Sequence, residues 1–190
     1  LSLTRKLLEE KSDPITLILH CQEGLHQVGK RYAEQKYFLS GLIMGGEIFY
    51  EVMEHIKPVM VNTISGTSSG TMLLGTVEGD IHDLGKNIVK LLLTCYKIEV
   101  HDLGVDVPPQ EFLRKANEIH PDILGLSGLL VKAADSMRET VRLFRKEGYK
   151  IPIIIGGSQL GVEVYQYTGA DYWVNDANKG LELCLRLLSK

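Results

Sequence analysis

The sequence predicts an α/β protein in two parts, a small helical bundle followed by a doubly wound, five-stranded parallel sheet. Three observations carry this. Residues 1–62 place apolar side chains at helical spacing and contain no strand-like run. Residues 71–190 alternate short apolar runs with helical patterns, which is the rhythm of β/α units. Between them, TISGTSSG (63–70) is small, polar and without periodicity, the texture of a joint. The expected domains are therefore 1–66, helical, and 67–190, α/β. Charge is even on both sides of the joint, 7 basic and 8 acidic residues before residue 71 and 14 and 16 after, so texture alone marks the boundary.

In the helical part, Asp13-Pro14 reads as an N-cap followed by proline at the first helical position. Leu17, His20, Cys21, Leu25 and Val28 follow at steps of three and four. Helices are expected near 2–11, 14–22, 23–35 and 38–61, making a four-helix bundle. The last should turn Leu42, Phe49, Val52, Met53 and Ile56 inward.

In the second part, strands are expected over 72–77, 98–103, 123–126, 151–155 and 172–174, all apolar as buried parallel strands are. Helices should fill 84–96, 109–119, 133–147, 159–168 and 178–188. Pro108 and Pro109 mark one start and Gly148 one stop. The resulting fold is Rossmann-like with flavodoxin-type strand order 2-1-3-4-5, and such sheets bind ligands at the carboxyl ends of their strands.

Composition removes several classes of function. With 44% hydrophobic and 24% charged residues, the 190-residue chain is globular rather than disordered. A net charge of −3 argues against a nucleic-acid partner. No apolar run is long enough to span a membrane, and charges from Arg5 onward leave no signal peptide. Cys21, Cys95 and Cys184 lie far apart without a CxxC, which points to a reducing cytoplasm rather than a disulfide framework or a zinc site.

Three strand ends carry the chemistry. The first leads into GTVEGDIHDLGKNIV (75–89), crowding Gly79, Asp80, His82, Asp83 and Gly85 before a helix. The third ends at Ser127 and Leu129, and the fourth at Gly156 and Gly157. A phosphate loop is a poor match: five residues separate Gly79 from Gly85-Lys86 instead of four, and Asn87 stands where Ser or Thr would bind metal. No GxGxxG occurs. A metal fits better, with His82 as ligand and Asp80 orienting its other ring nitrogen. One histidine cannot hold zinc alone, and His101-Asp102 is not at ligand spacing. A metal that brings its own equatorial ligands needs only one protein ligand. The bland alternative is that His82 caps the following helix, with Asp80 merely buried beside it.

The pattern Asp-x-His-x-x-Gly, then 41 residues (86–126), Ser-x-Leu, then 26 residues (130–155), Gly-Gly resembles the signature of cobalamin-binding domains. A chance match at a given start is on the order of 10⁻⁸ or less, so the spacing is specific. VGKRYAEQKYFL (28–39) is similar to the helical cap of methionine synthase and of corrinoid methyl-carrier proteins, with Tyr32 over cobalt and Leu39 beside it. Tyr37 and Phe38 are expected in the ordinary core.

The resemblance implies a corrinoid held base-off and His-on, with His82 on cobalt and Asp80 hydrogen-bonded to it. It implies a nucleotide-arm pocket between the strand of Ser127 and Leu129 and the strand of Gly156 and Gly157. It implies a carrier that accepts a methyl group on Co(I) from a donor-specific methyltransferase. A second methyltransferase, acting on tetrahydrofolate or a thiol, takes it off, and a reductive activase restores the metal. The chain alone would not be a complete enzyme. An adenosylcobalamin sensor, a mutase subunit and a methionine synthase fragment are the alternatives. In methionine synthase a serine six residues beyond the first extends the Asp–His pair; here that position is Ala133. The expectation is an Asp80–His82 dyad closed by water or backbone.

Overall fold

The computed structural model describes residues 2–61 and 70–189, apart from the side chains of His26, Tyr32, Ala33, Leu39, Leu42, Val61 and Cys95. The linker expected at 63–70 lies outside the described residues except for Gly70. The chain divides into two compact units, Leu1–Ser65 and Gly66–Lys190.

The first unit contains α1 (Ser2–Glu9), α2 (Pro14–Ala33) and α3 (Leu39–Val61). Asp13 caps α2 as expected, accepting from the Thr16 amide at 3.0 Å and the Thr16 hydroxyl at 2.7 Å. Three helices stand among the described residues where four were expected, because α2 runs on through Glu23-Gly24. One helical glycine costs about 1 kcal/mol, and the apolar stripe of Leu17, Ile18, Leu25 and Val28 crosses it without a break. Packing of α2 on α3 outweighs that cost. At Gly45 of α3 an added Cβ would lie 3.1 Å from Leu25 and 3.4 Å from Val28, so the two helices touch closely there. Phe49, Val52, Met53 and Ile56 are buried as the periodicity requires. Tyr37 and Phe38 are not core. Phe38 is 87% exposed, and Tyr37 accepts a 2.7 Å hydrogen bond from Arg31 at the surface, because both fall in the turn after α2 rather than on a buried helical face.

The second unit alternates β1 (Gly70–Thr76), α4 (Leu84–Cys95), β2 (Ile98–Asp102), α5 (Pro109–Ile119), β3 (Ile123–Ser127), α6 (Ala133–Lys146), β4 (Ile153–Gly156), α7 (Val162–Thr168), β5 (Tyr172–Val174) and α8 (Ala177–Leu188). The sheet is parallel, with order β2-β1-β3-β4-β5. Boundaries shift by one to three residues from the sequence reading, and two of the shifts have a plain cause. β4 starts at Ile153 because Pro152 has no N–H to give the ladder, although its carbonyl still accepts from Leu124. α7 starts at Val162 because Gly161 is extended and Leu160 turns back onto the Gly157 carbonyl.

Side chains alternate across the sheet. Leu73, Leu124, Leu126, Ile153 and Ile155 face Phe112 of α5 and Met137, Val141 and Phe144 of α6. On the opposite face, towards α4 and α8, the last register row is Thr76, Ser127, Gly156 and Val174.

Candidate functional site

The turn between β1 and α4 is built around Asp80. Gly79 reverses the chain with φ +82°, a conformation costly for any residue with a Cβ. The Asp80 carboxylate is then fully buried at the carboxyl end of the sheet. Its Oδ1 accepts from the His82 amide at 3.0 Å and from His82 Nδ1 at 2.6 Å. Its Oδ2 accepts from the Leu129 and Leu130 amides at 2.6 and 2.9 Å. Burial alone would raise the Asp80 pKa, but the amides of Leu130, His82 and Leu129 and the His82 ring outweigh it and hold it at about 2. Asp80 is therefore an anion that only accepts, which places the ring proton of His82 on Nδ1.

His82 is half outside the protein, its side chain 49% exposed, and its Nε2 has no hydrogen-bond partner among the described residues. The imidazole does not cap α4, because Nδ1 is committed to Asp80. The backbone of His82 is held too: its carbonyl accepts from Thr76 Oγ1 at 3.0 Å.

Besides the His82 ring, Asp80 is thus closed by three backbone amides, those of His82, Leu129 and Leu130. The neighbourhood of Ala133 explains why no hydroxyl takes part. A Cβ added at Gly128 would lie 2.7 Å from the Ala133 Cβ and 3.6 Å from Asp80 Oδ2, so residue 133 stands beside the carboxylate but carries nothing to donate. Ser136, one turn further along α6, is buried with its hydroxyl unpartnered.

The other expected residues fall at the same edge of the sheet. Asp83 precedes α4 and accepts from Asn87 Nδ2 at 3.0 Å. Gly85, in the first turn of α4, has nothing within 4 Å of an added Cβ. Leu129 contributes its amide to Asp80, a role its side-chain type gave no hint of. Ser127 and Gly156 are register partners. Their strands are direct neighbours, joined further by Gly128 N–H to Gly156 O at 3.0 Å. On the α4/α8 face, a Cβ added at Gly180 of α8 would lie 3.6 Å from Val174. Gly157 is required by backbone crowding, since an added Cβ would fall 2.0 Å from the Gly128 carbonyl oxygen.

Tyr32 and Leu39 stand on either side of the turn that joins α2 to α3; their side chains lie outside the described residues. Lys86 closes the phosphate reading, because its ammonium is buried on Asp102 at 2.7 and 2.8 Å. His101 faces Glu99 at 2.9 Å and does not join His82.

Models of B12 binding domains match this chain over residues 70–182 and 1–57. The chain belongs to the B12-binding family. Among its relatives, the dimethylamine corrinoid protein of Methanosarcina barkeri is 32% identical over 168 residues, 87% of this chain and 79% of that protein. Dimethylamine corrinoid protein 3 of Methanosarcina mazei is 32% identical over 167 residues, 87% of this chain and all of that protein. Among solved structures, a cobalamin-binding protein from Desulfitobacterium hafniense DCB-2 is 38% identical, with TM-score 0.61 over 98% of this chain and 89% of that one. The Methanosarcina barkeri monomethylamine corrinoid protein has the same fold, with TM-score 0.89 at 22% identity over 98% of this chain and 89% of that one.

The residues present fit a B12 corrinoid. No group of three His, Cys, Asp or Glu side chains among the described residues could hold a metal ion, whereas a corrin brings its own equatorial ligands and needs one axial donor. His82 Nε2, without a hydrogen-bond partner among the described residues, is available for that part. Around it the strand-end loops expose apolar side chains suited to a broad flat ring: Ile81 is 72% exposed and Val131 94%, with Val105 and Leu130 also at the surface. Sequence reasoning did not find these four. A signal existed, since each lies within a few residues of a strand end, where solvent-facing apolar residues are unexpected. No helix among the described residues is long and apolar enough to cross a membrane.

Proposed function

We propose that the chain is a methyl-carrying corrinoid protein that holds its corrinoid base-off with His82 as the lower axial ligand. The bound corrinoid supplies a metal that takes up and gives up a methyl group. The observation that carries the reading is an imidazole with one nitrogen fixed on a buried carboxylate and the other turned outward without a partner, in a B12-binding unit.

The protein's own part is to bind, orient and shield. Asp80 accepts the Nδ1 proton of His82, fixing the ring's tautomer and rotation and making Nε2 a stronger donor. Leu129 and Leu130 amides keep that carboxylate ionised. Gly79 and Asp83 shape the turn, and Gly85 leaves α4 open beneath the ring. Ser127, Gly156 and Gly157 line the place of the displaced nucleotide arm, Ser127 by a hydrogen bond and Gly157 by letting the backbones of β3 and β4 close up beside it. Tyr32 and Leu39 would shield the bound methyl group from water. Donor and acceptor are chosen by partner enzymes: a methyltransferase for a small methylated amine or alcohol on one side, one acting on a tetrahydrofolate-type pterin or a thiol on the other, and a reductive activase. The dimethylamine relatives, and the likeness to the methanol:cobalamin methyltransferase complex MtaBC of Methanosarcina barkeri, support this donor class. That complex is 27% identical, with TM-score 0.62 over 97% of this chain and 71% of that one.

The test is reconstitution with cobalamin. Binding should quench the fluorescence of Trp173, the single tryptophan of the chain, and His82→Ala should lose imidazole coordination while retaining binding through the arm pocket. Methyl transfer should then depend on a separate methyltransferase. A protein that takes up only adenosylcobalamin and no methyl group would instead be a sensor or a mutase subunit.

A further inference from the structure

Lys86 poses a question that stability does not answer. It lies in the first turn of α4, where the helix dipole disfavours a cation, and its side chain is 2% exposed. Its ammonium donates to both carboxylate oxygens of Asp102, at 2.7 and 2.8 Å, and to Asn87 Oδ1 at 3.0 Å, which uses all three of its donors. Asp102, at the end of β2, also accepts from the Gly104 amide at 3.0 Å and from the more exposed Lys90 at 3.1 Å. A buried ion pair is a poor way to gain stability, because desolvation takes back most of the attraction. Its better-attested use is to fix geometry.

What it fixes is the exit of the His82 turn. Asp83, the residue before α4, accepts from Asn87 Nδ2 at 3.0 Å, and Asn87 Oδ1 accepts from Lys86 Nζ at 3.0 Å, so the start of α4 is joined to the ion pair through Asn87. The entrance of the turn is tied to the β2–α5 loop through Asp106, by Gly79 N–H to its side-chain Oδ1 at 2.7 Å and by its own N–H to Asp80 O at 3.0 Å. Lys86–Asp102 ties the exit, four residues after His82, to the end of β2, which leads into that same loop. We infer that Lys86 and Asp102 are positioning residues that hold the His82 ring in register for axial coordination.

The inference rests on the reading of His82 as the axial ligand. The test uses the full chain labelled with ¹⁵N only in histidine, reconstituted with unlabelled cobalamin, reduced to Co(II), and followed by the ¹⁵N doublet splitting in its electron paramagnetic resonance spectrum. Lys86→Met with Asp102→Leu removes the tie without leaving an unpaired buried charge. It should keep the wild-type circular dichroism yet lower the His-on to His-off ratio about tenfold, the usual cost of losing a group that orients a metal ligand. Lys90→Ala should leave the ratio unchanged. An undiminished ratio in the folded double variant overturns the inference. Should that variant not fold, Asp102→Asn, nearly isosteric, should lower the ratio by about threefold on the same argument, and no change there overturns it equally. His82→Ala separates the two claims: splitting that survives His82→Ala refutes the axial ligand itself, whereas splitting lost in His82→Ala but intact in the double variant refutes only the positioning role.

Discussion

The two ends of the site are built by opposite means. The His82 turn is specified by polar contacts, with a buried carboxylate taking four hydrogen bonds and a buried lysine taking three acceptors. The Gly156-Gly157 edge is specified by missing side chains, with β3 and β4 so close that a Cβ at 157 would overlap a backbone oxygen. The comparison teaches that substitutions should fail differently at the two ends. At the glycine edge an added atom should break the fold, whereas at the turn a lost charge should leave the fold standing and release the ligand.

The largest effect belongs to Gly157→Ala. The 2.0 Å approach to the Gly128 carbonyl is backbone against backbone and cannot be relieved by a rotamer change, so denaturant unfolding should show a loss of about 3 kcal/mol or more. Gly85→Ala sharpens the contrast. Nothing lies within 4 Å of its added Cβ, so the cofactor-free protein should gain about 0.5–1 kcal/mol from helix propensity. Cobalamin titrations of the same variant should nonetheless show weaker binding, because that open space lies at the exposed edge beside His82.

Next comes Asp80→Asn. The amide keeps an acceptor but loses the charge that the Leu129 and Leu130 amides solvate, so stability at neutral pH should fall by about 1–3 kcal/mol, and coordination by His82 should weaken. This difference has a pH signature. The folded pKa of Asp80, about 2, lies below the ordinary carboxylate value near 3.9. Its contribution is therefore complete above pH about 4 and disappears as pH falls through about 2. Unfolding curves of wild type and Asp80→Asn should converge over that window and stay parallel above it. The smallest effect should be that of Phe38→Ala, within about 0.5 kcal/mol, because the ring is on the surface.

Legibility in the sequence followed the same division. The glycine edge could be read only through its spacing from Ser127 and Leu129, since Gly-Gly alone also suits an ordinary strand-to-helix turn, and the five strands could be read because buried parallel strands are short and apolar. Asp80 and His82 announced themselves by chemistry and spacing. What stayed hidden was what holds them. Leu129 and Leu130 act through backbone amides, which no residue type encodes. Lys86 meets Asp102 16 residues along the chain, a contact that exists only once β1 and β2 are paired. Ala133 could be read as a missing hydroxyl, but the sequence left open whether water or backbone replaced it. A break was expected between 22 and 23, whereas packing against α3 decides that the helix continues through Gly24.

The central claim is that His82 Nε2 is the lower ligand of the corrinoid metal. Protein labelled with ¹⁵N only in histidine, reconstituted with unlabelled cobalamin and reduced to Co(II), tests it most directly. Coordination by His82 predicts that each cobalt line splits into a doublet from ¹⁵N, and that the doublets vanish in labelled His82→Ala. Triplets from ¹⁴N in the labelled wild type would mean that the cofactor's own base remains on the metal, and would contradict the account.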